Sequence, residues 1–213
     1  MPKLVDPAAR RRAVAQAVLA VVGRLGLEHA SLRNVADESG LAIGSIRHYF
    51  ADHNELMIFA MEELGARIGE RLRAHTERPL ASADGTGDAS TPAAAPRATL
   101  EELLAEFLPL DDARREEAAV WLAFTAALHT RPQLRPCAAE HQQEMHALVS
   151  HVLSEAQRSG GLSQDLDLPL ETARLTALLD GLTLQAVLLP DRSPPQLLRQ
   201  VLRRHLETLG SGG

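Results

Sequence analysis

Four polar or small residues, Gly44, Ser45, Arg47 and His48, fall close together in the segment SLRNVADESGLAIGSIRHYFADHNEL, residues 31–56. Each suits contact with a nucleic acid. An arginine can donate in parallel to the O6 and N7 of guanine, a serine can donate to a phosphate, and a glycine lets a backbone approach a phosphate closely. Helical spacing turns these side chains outward, because Leu41, Ile46 and Phe50 take the opposite face and pin the short helix that carries them. Ahead of it, Ser31 is placed to cap a helix whose inner face is Leu32, Val35 and Ala36. Gly40 lies between the two helices, where the chain must turn sharply and a residue free to adopt positive φ makes the turn inexpensive.

The elements that hold this segment are helical as well. Apolar residues recur at helical spacing along almost the whole chain, and no stretch alternates in the manner of a strand, so the predicted fold class is all-α. The first helix runs from Pro7, suited to a first turn, to Gly26, suited to a stop, with Val14, Val18, Val21, Val22 and Leu25 as its inner stripe. The third is predicted over 43–49. A fourth begins at Asp52, which has capping-box spacing to Glu55, and runs to about residue 75.

Residues 76–98, TERPLASADGTGDASTPAAAPRA, offer almost nothing to bury and read as a flexible loop. Further helices are predicted over 99–108, 112–130, 132–159, 168–189 and 194–209, punctuated by Pro109, Pro132, Gly160, Pro190 and Pro194. The organisation expected is a head over 1–51, a connecting helix over 52–75, the loop over 76–98, and a helical domain over 99–213; the family resemblance given below implies DNA binding for the first and ligand binding and dimerisation for the last.

Charge supports the division. The net charge of −6 hides a first fifty residues with seven basic and four acidic side chains, a net of +3 that leaves −9 for the rest. A basic head on an acidic body fits contact with DNA at one end. Cys137 is the single cysteine, which excludes an intramolecular disulfide and a four-cysteine zinc site. The chain shows no secretory pattern and no run long enough to span a bilayer, so it is expected to be cytoplasmic.

With those residues in view, 7–61 resembles the TetR family of regulators: a capped helix, a glycine turn, a short recognition helix ending in an aromatic pair, and a fourth helix leading into a ligand domain. The resemblance implies that Ser31, Arg33, Ser45 and Tyr49 contact phosphates, and that Gly44, Arg47 and His48 lie near bases. Three positions depart from the family pattern. Arg47 stands where a tyrosine is common, and so could read guanine. His53 stands where a lysine is common, exchanging a permanent charge on a phosphate contact for one that depends on pH. Ala42 replaces the usual capping serine.

From residue 108 to 198 the chain also resembles, more loosely, the C-terminal domain of the choline-responsive, betaine-pathway subgroup. That implies a helical pocket for a small-molecule effector and a homodimer built from the last two long helices, able to bind a palindromic operator in double-stranded DNA. The leucines of those helices, among them Leu170, Leu175, Leu178, Leu182 and Leu188, spread over too much of the surface for one core, which suggests a partner; a core within one chain is the alternative. Trp121, Phe124 and Leu128 form a stripe at spacings of three and four, with Met145 and Leu148 as a facing set. The resemblance places the effector there, and ordinary core packing is the alternative. Few aromatic residues follow position 60, which argues against a cage for a quaternary ammonium.

No other chemistry is indicated. His141, His146 and His151 recur every five residues, a spacing that turns each away from the last, so no metal site and no cofactor is expected. There is no phosphate loop, nucleophile elbow or paired acid and base, and an enzyme is not expected. The alternative function is a helical ligand-binding or scaffold dimer that binds no specific DNA.

Overall fold

A computed structural model describes residues 6–77 and 94–210. Among the described residues there are nine α-helices and no strand: α1 (Pro7–Leu25), α2 (Leu32–Ser39), α3 (Ile43–Tyr49), α4 (His53–Glu77), α5 (Ala94–Ala105), α6 (Asp112–Ala127), α7 (Arg135–Arg158), α8 (Leu168–Leu188) and α9 (Pro195–Gly210). The helix pattern read from the sequence is thus the one observed. Most of the loop expected over 76–98 lies outside the described residues, and α5 begins at Ala94, inside that expected span.

Local chemistry accounts for the helix ends. The Asp6 carboxylate accepts from Ala8 N–H at 2.9 Å ahead of Pro7, and Ser31 Oγ accepts from Asn34 N–H at 3.2 Å at the start of α2. Gly40 closes α2 in the left-handed region, at φ 67° and ψ 21°. Asp52 accepts from Glu55 N–H at 2.8 Å to open α4, and Asp167 accepts from Leu170 N–H at 3.1 Å to open α8.

The chain divides into two compact units that do not follow chain order. One comprises Met1–Arg67 and Glu116–His141, the other Ile68–Arg115 and Gln142–Gly213, so α4, α6 and α7 each contribute to both. In the first unit, Val14, Val18, Val21 and Val22 of α1 meet Val35 of α2, Ile46 of α3, and Leu56, Met57 and Met61 of α4, with Phe124 and Leu134 in the same core. Leu25, expected on the inner stripe, is instead 49% exposed. The helix ends there, Gly26 turns the chain at φ 90°, and Leu27 enters the core in its place.

The second unit is a leucine core. Leu100, Leu103 and Leu104 of α5, Val149 and Leu153 of α7, Leu175 and Leu179 of α8, and Leu198, Leu202 and Leu206 of α9 are all buried together. Helix α9 packs against both α5 and α8, and the Arg203 guanidinium forks onto Glu101 of α5 at 2.9 and 3.0 Å.

Candidate nucleic-acid interface

Helices α2 and α3 form a helix-turn-helix whose buried face is Val35, Ala36, Ile46 and Phe50. Opposite that face, Gly44, Ser45, Arg47 and His48 are all exposed, as the spacing predicts. Arg47 and Arg33 form no ion pair among the described residues, so two guanidinium groups are presented with their donors outward. Ser31 is exposed, but its hydroxyl oxygen already caps α2, which leaves only the hydroxyl proton to donate to a phosphate. Tyr49 is half-buried with its ring edge-on to His48, the centroids 5.4 Å apart.

His53 is placed differently from its expected role. Its Nε2 lies 2.6 Å from the Ala30 carbonyl, so that nitrogen carries the proton and donates to backbone within the same unit. The ring therefore ties the start of α4 to the segment before α2. Only Nδ1 is left for an outside partner.

Two residues of this face escape a sequence reading. Ile43, the first residue of α3, is 38% exposed although it is large and apolar. An apolar residue beside a glycine reads as core from sequence; its exposure shows only once the direction of α3 is fixed. Arg11 counts as one more basic residue in the sequence, yet its guanidinium donates to the Tyr49 carbonyl at 2.7 Å and to Glu55 Oε1 at 3.1 Å. Glu55 Oε2 accepts from Ala51 N–H at 2.6 Å. That backbone hydrogen bond first, and the Arg11 hydrogen bond second, hold the Glu55 carboxyl below the ordinary glutamate range. A further pair, Arg24 with Glu38, joins α1 to α2.

Comparison with known proteins places this geometry. The C-terminal domain of BetI-type transcriptional repressors matches residues 96–211. A curated transcriptional regulator of Bacillus subtilis (strain 168), the HTH-type PksA, is 32% identical over 210 residues, covering 98% of this chain and 94% of its own length. The chain belongs to the TetR family. The HTH-type regulator BetI of Yersinia pestis (strain Pestoides F) is 29% identical over 214 residues, covering 97% of this chain and 96% of its own. The crystal structure of a transcriptional regulator from Rhodococcus sp. Rha1 superposes with a TM-score of 0.75 at 29% identity, over 93% of this chain and 95% of that one. This TetR-family protein is accordingly a DNA-binding regulator of transcription and not an enzyme. Members of the family bind operator DNA and small-molecule effectors, and dimerisation is typical of them.

The residues expected to meet an effector fall in both units. Trp121 and Leu128 pack, half-buried, on the first core, and Phe124 is wholly buried within it. Trp121 also faces His141, with ring centroids 5.7 Å apart. The His141 Nδ1–H donates to the Cys137 carbonyl at 2.8 Å, and Cys137 itself is buried. Met145 and Leu148 are half-buried on α7, and Leu148 packs on the second core. Among the described residues no group of three or more His, Cys, Asp or Glu could hold a metal ion, and no helix is long and apolar enough to cross a membrane.

Proposed function

We propose that this regulator is a ligand-responsive repressor that binds a palindromic operator as a homodimer, with α3 of each protomer in the major groove. The observation that carries the reading is the free outward face of α3, held from behind by Ile46 and Phe50. Arg47 is assigned to a guanine, His48 and the Gly44 backbone lie near bases, and Ile43 meets a thymine methyl. Ser31, Arg33, Ser45 and Tyr49 fix the register on phosphates, and His53 adds at most a contact through Nδ1.

The dimer reading is supported by the second unit. Seven large apolar residues are exposed among the described residues, and five of them, Leu170, Leu184, Leu188, Leu189 and Leu197, lie on or beside α8 and α9. An open groove of about 780 Å³ runs along the same two helices, lined in part by Leu178, Leu197 and Val201. A second copy related by a two-fold axis would cover this surface and would match the symmetry of a palindrome. For the effector, Trp121 and Leu128 of the first unit are assigned as contacts. Phe124 acts behind them from the core. An apolar effector suits these residues better than a quaternary ammonium, which favours several aromatic faces.

The test is binding to DNA immediately upstream of the coding region, with a salt titration and a random-sequence control. Specific binding that weakens steeply with salt is expected. Arg47→Ala should reduce the preference for operator over random DNA by roughly five- to 150-fold, the range of one bidentate base contact, while the dimer stays folded. Undiminished discrimination in that variant would remove Arg47 as a base reader.

A further inference from the structure

Helix α3 has two turns, and Ala42 at its start supplies no side-chain cap. So short a helix has little stability of its own, and neighbouring elements must fix its orientation. Its buried face meets the core through Ile46, which holds its depth. What holds its far end is Arg11. Tyr49 is the last residue of α3, and its carbonyl is among those left without an intrahelical partner. Arg11 Nη1 donates to that carbonyl at 2.7 Å, and Nη2 reaches Glu55 of α4 at 3.1 Å.

The guanidinium also rests on two touching aromatic rings, 4.5 Å from the Phe50 centroid and 4.7 Å from that of Phe59, with the two centroids 5.6 Å apart. Glu55 closes the arrangement by accepting from Ala51 N–H, the link between α3 and α4. One planar fork thus joins α1, the end of α3 and the start of α4, a task that needs several donors at fixed angles.

Given that α3 reads operator DNA, we propose that Arg11 is a positioning residue for specificity: it sets the angle at which α3 presents Arg47 and His48 to base edges, without itself touching DNA. Its positive charge would otherwise suggest a phosphate contact, but Nη1 and Nη2 each donate inside the protein, to the Tyr49 carbonyl and to Glu55. The two roles leave different signatures. Loss of a phosphate contact weakens binding to all sequences alike and lowers the salt slope by about one. Loss of a positioning contact weakens operator binding selectively and leaves the slope unchanged.

The decisive variant is Arg11→Met, which keeps an apolar stem against the two rings and removes every donor. It is compared with Val21→Ala, a core truncation in α1 remote from the clamp that lowers stability by a separate route. The expected result is a fall of about tenfold or more in the operator-to-random affinity ratio for Arg11→Met, with the salt slope retained, and an unchanged ratio for Val21→Ala. Glu55→Gln, which leaves one acceptor oxygen for two donors, should give a smaller fall. Equal losses on both DNAs with a slope reduced by about one, or the same loss of ratio in Val21→Ala, would overturn the proposal. Should the parent protein prefer no operator, the base-reading role of α3 fails, and amide exchange over residues 46–51 still decides the clamp. Faster exchange in Arg11→Met than in Val21→Ala supports it, and equal exchange overturns it.

Discussion

Each of the two compact units has an apolar core, and they differ in the number of remote side-chain hydrogen bonds and in the apolar surface left over. In the first, side-chain hydrogen bonds between remote residues fix the geometry: Arg11 to Tyr49 and Glu55, His53 to the Ala30 carbonyl, Arg24 to Glu38. In the second, the Arg203 fork onto Glu101 joins α9 to α5, leucines from α5, α7, α8 and α9 supply the core, and more leucines remain on the surface. The second unit also buries polar atoms that make no hydrogen bond among the described residues: Thr172 Oγ1, Thr176 Oγ1, Glu171 Oε2 and His205 Nε2. A reading head must hold directional contacts within a fraction of an ångström, which hydrogen bonds enforce and apolar contact does not. A body that associates and responds to a ligand needs apolar surface in excess and tolerates less exact pairing.

The largest effect should come from attacking that excess. Leu188 is 65% and Leu184 44% exposed on α8, so replacing both by glutamate removes little from the core of one protomer. If the α8–α9 face is the dimer interface, Leu184→Glu with Leu188→Glu should yield a folded monomer by sedimentation and circular dichroism, and operator affinity should fall by about 100-fold or more as the linkage of two half-sites is lost. A dimer that survives both changes would place the interface elsewhere.

Next in size is a change inside the first unit, at the one helical glycine that a neighbouring ring closes off. A Cβ on Gly65 of α4 would stand 2.1 Å from His141 Nε2 and 2.3 Å from its Cδ2. The ring cannot retreat freely, because its Nδ1–H is bound to the Cys137 carbonyl and one face is against Trp121. Alanine is worth about 1 kcal/mol more than glycine in a helix interior. Gly65→Ala should nevertheless destabilise, by about 1–2 kcal/mol net of that gain, and should shift the emission of Trp121, the only tryptophan in the chain. Adding His141→Ala should recover the propensity gain. A stabilised single variant with unchanged fluorescence would show that the ring has room to move.

What the sequence made legible follows the same division. Helix ends set by adjacent residues, such as Pro7, Ser31, Gly40 and Asp52, are where local chemistry places them, because a cap and its partner lie within three residues of each other. The outward set on α3 was legible for the same reason: one helical period decides it. The locks of the first unit were not. Arg11 and Glu55 are 44 residues apart and His53 and Ala30 are 23 apart, so the sequence shows only a charge and a ring without their partners. Gly65 carried no sign of a ring against it. Leu25 and Ile43 mark the limit of periodicity: each continues an apolar pattern, and each is turned outward where its helix ends or begins.

The smallest expected effect concerns pH and probes the polar groups of the second unit. His205 of α9 is half-buried; burial first, and repulsion from Arg174 of α8 second, lower its pKa, and Glu171 opposes them. Glu171 is itself paired with Arg174 at 2.6 Å, which weakens its help to the imidazolium. The folded state thus disfavours the protonated ring, and the unfolded chain titrates near the ordinary histidine value of about 6.5. Below that value the unfolded state binds more protons, so the stabilising contribution is complete above about pH 6.5 and is lost as pH falls toward the folded value. The thermal midpoint should therefore fall between about pH 7.5 and 5.5, and His205→Gln should flatten part of that fall. His205 lines the groove along α8 and α9. If a second protomer covers the groove, water is excluded further and the slope should be steeper in the dimer than in the monomer made by Leu184→Glu with Leu188→Glu. Equal slopes would mean that His205 is shielded by its own protomer alone, and that the paired surface begins at the exposed leucines of α8 without reaching the end of α9.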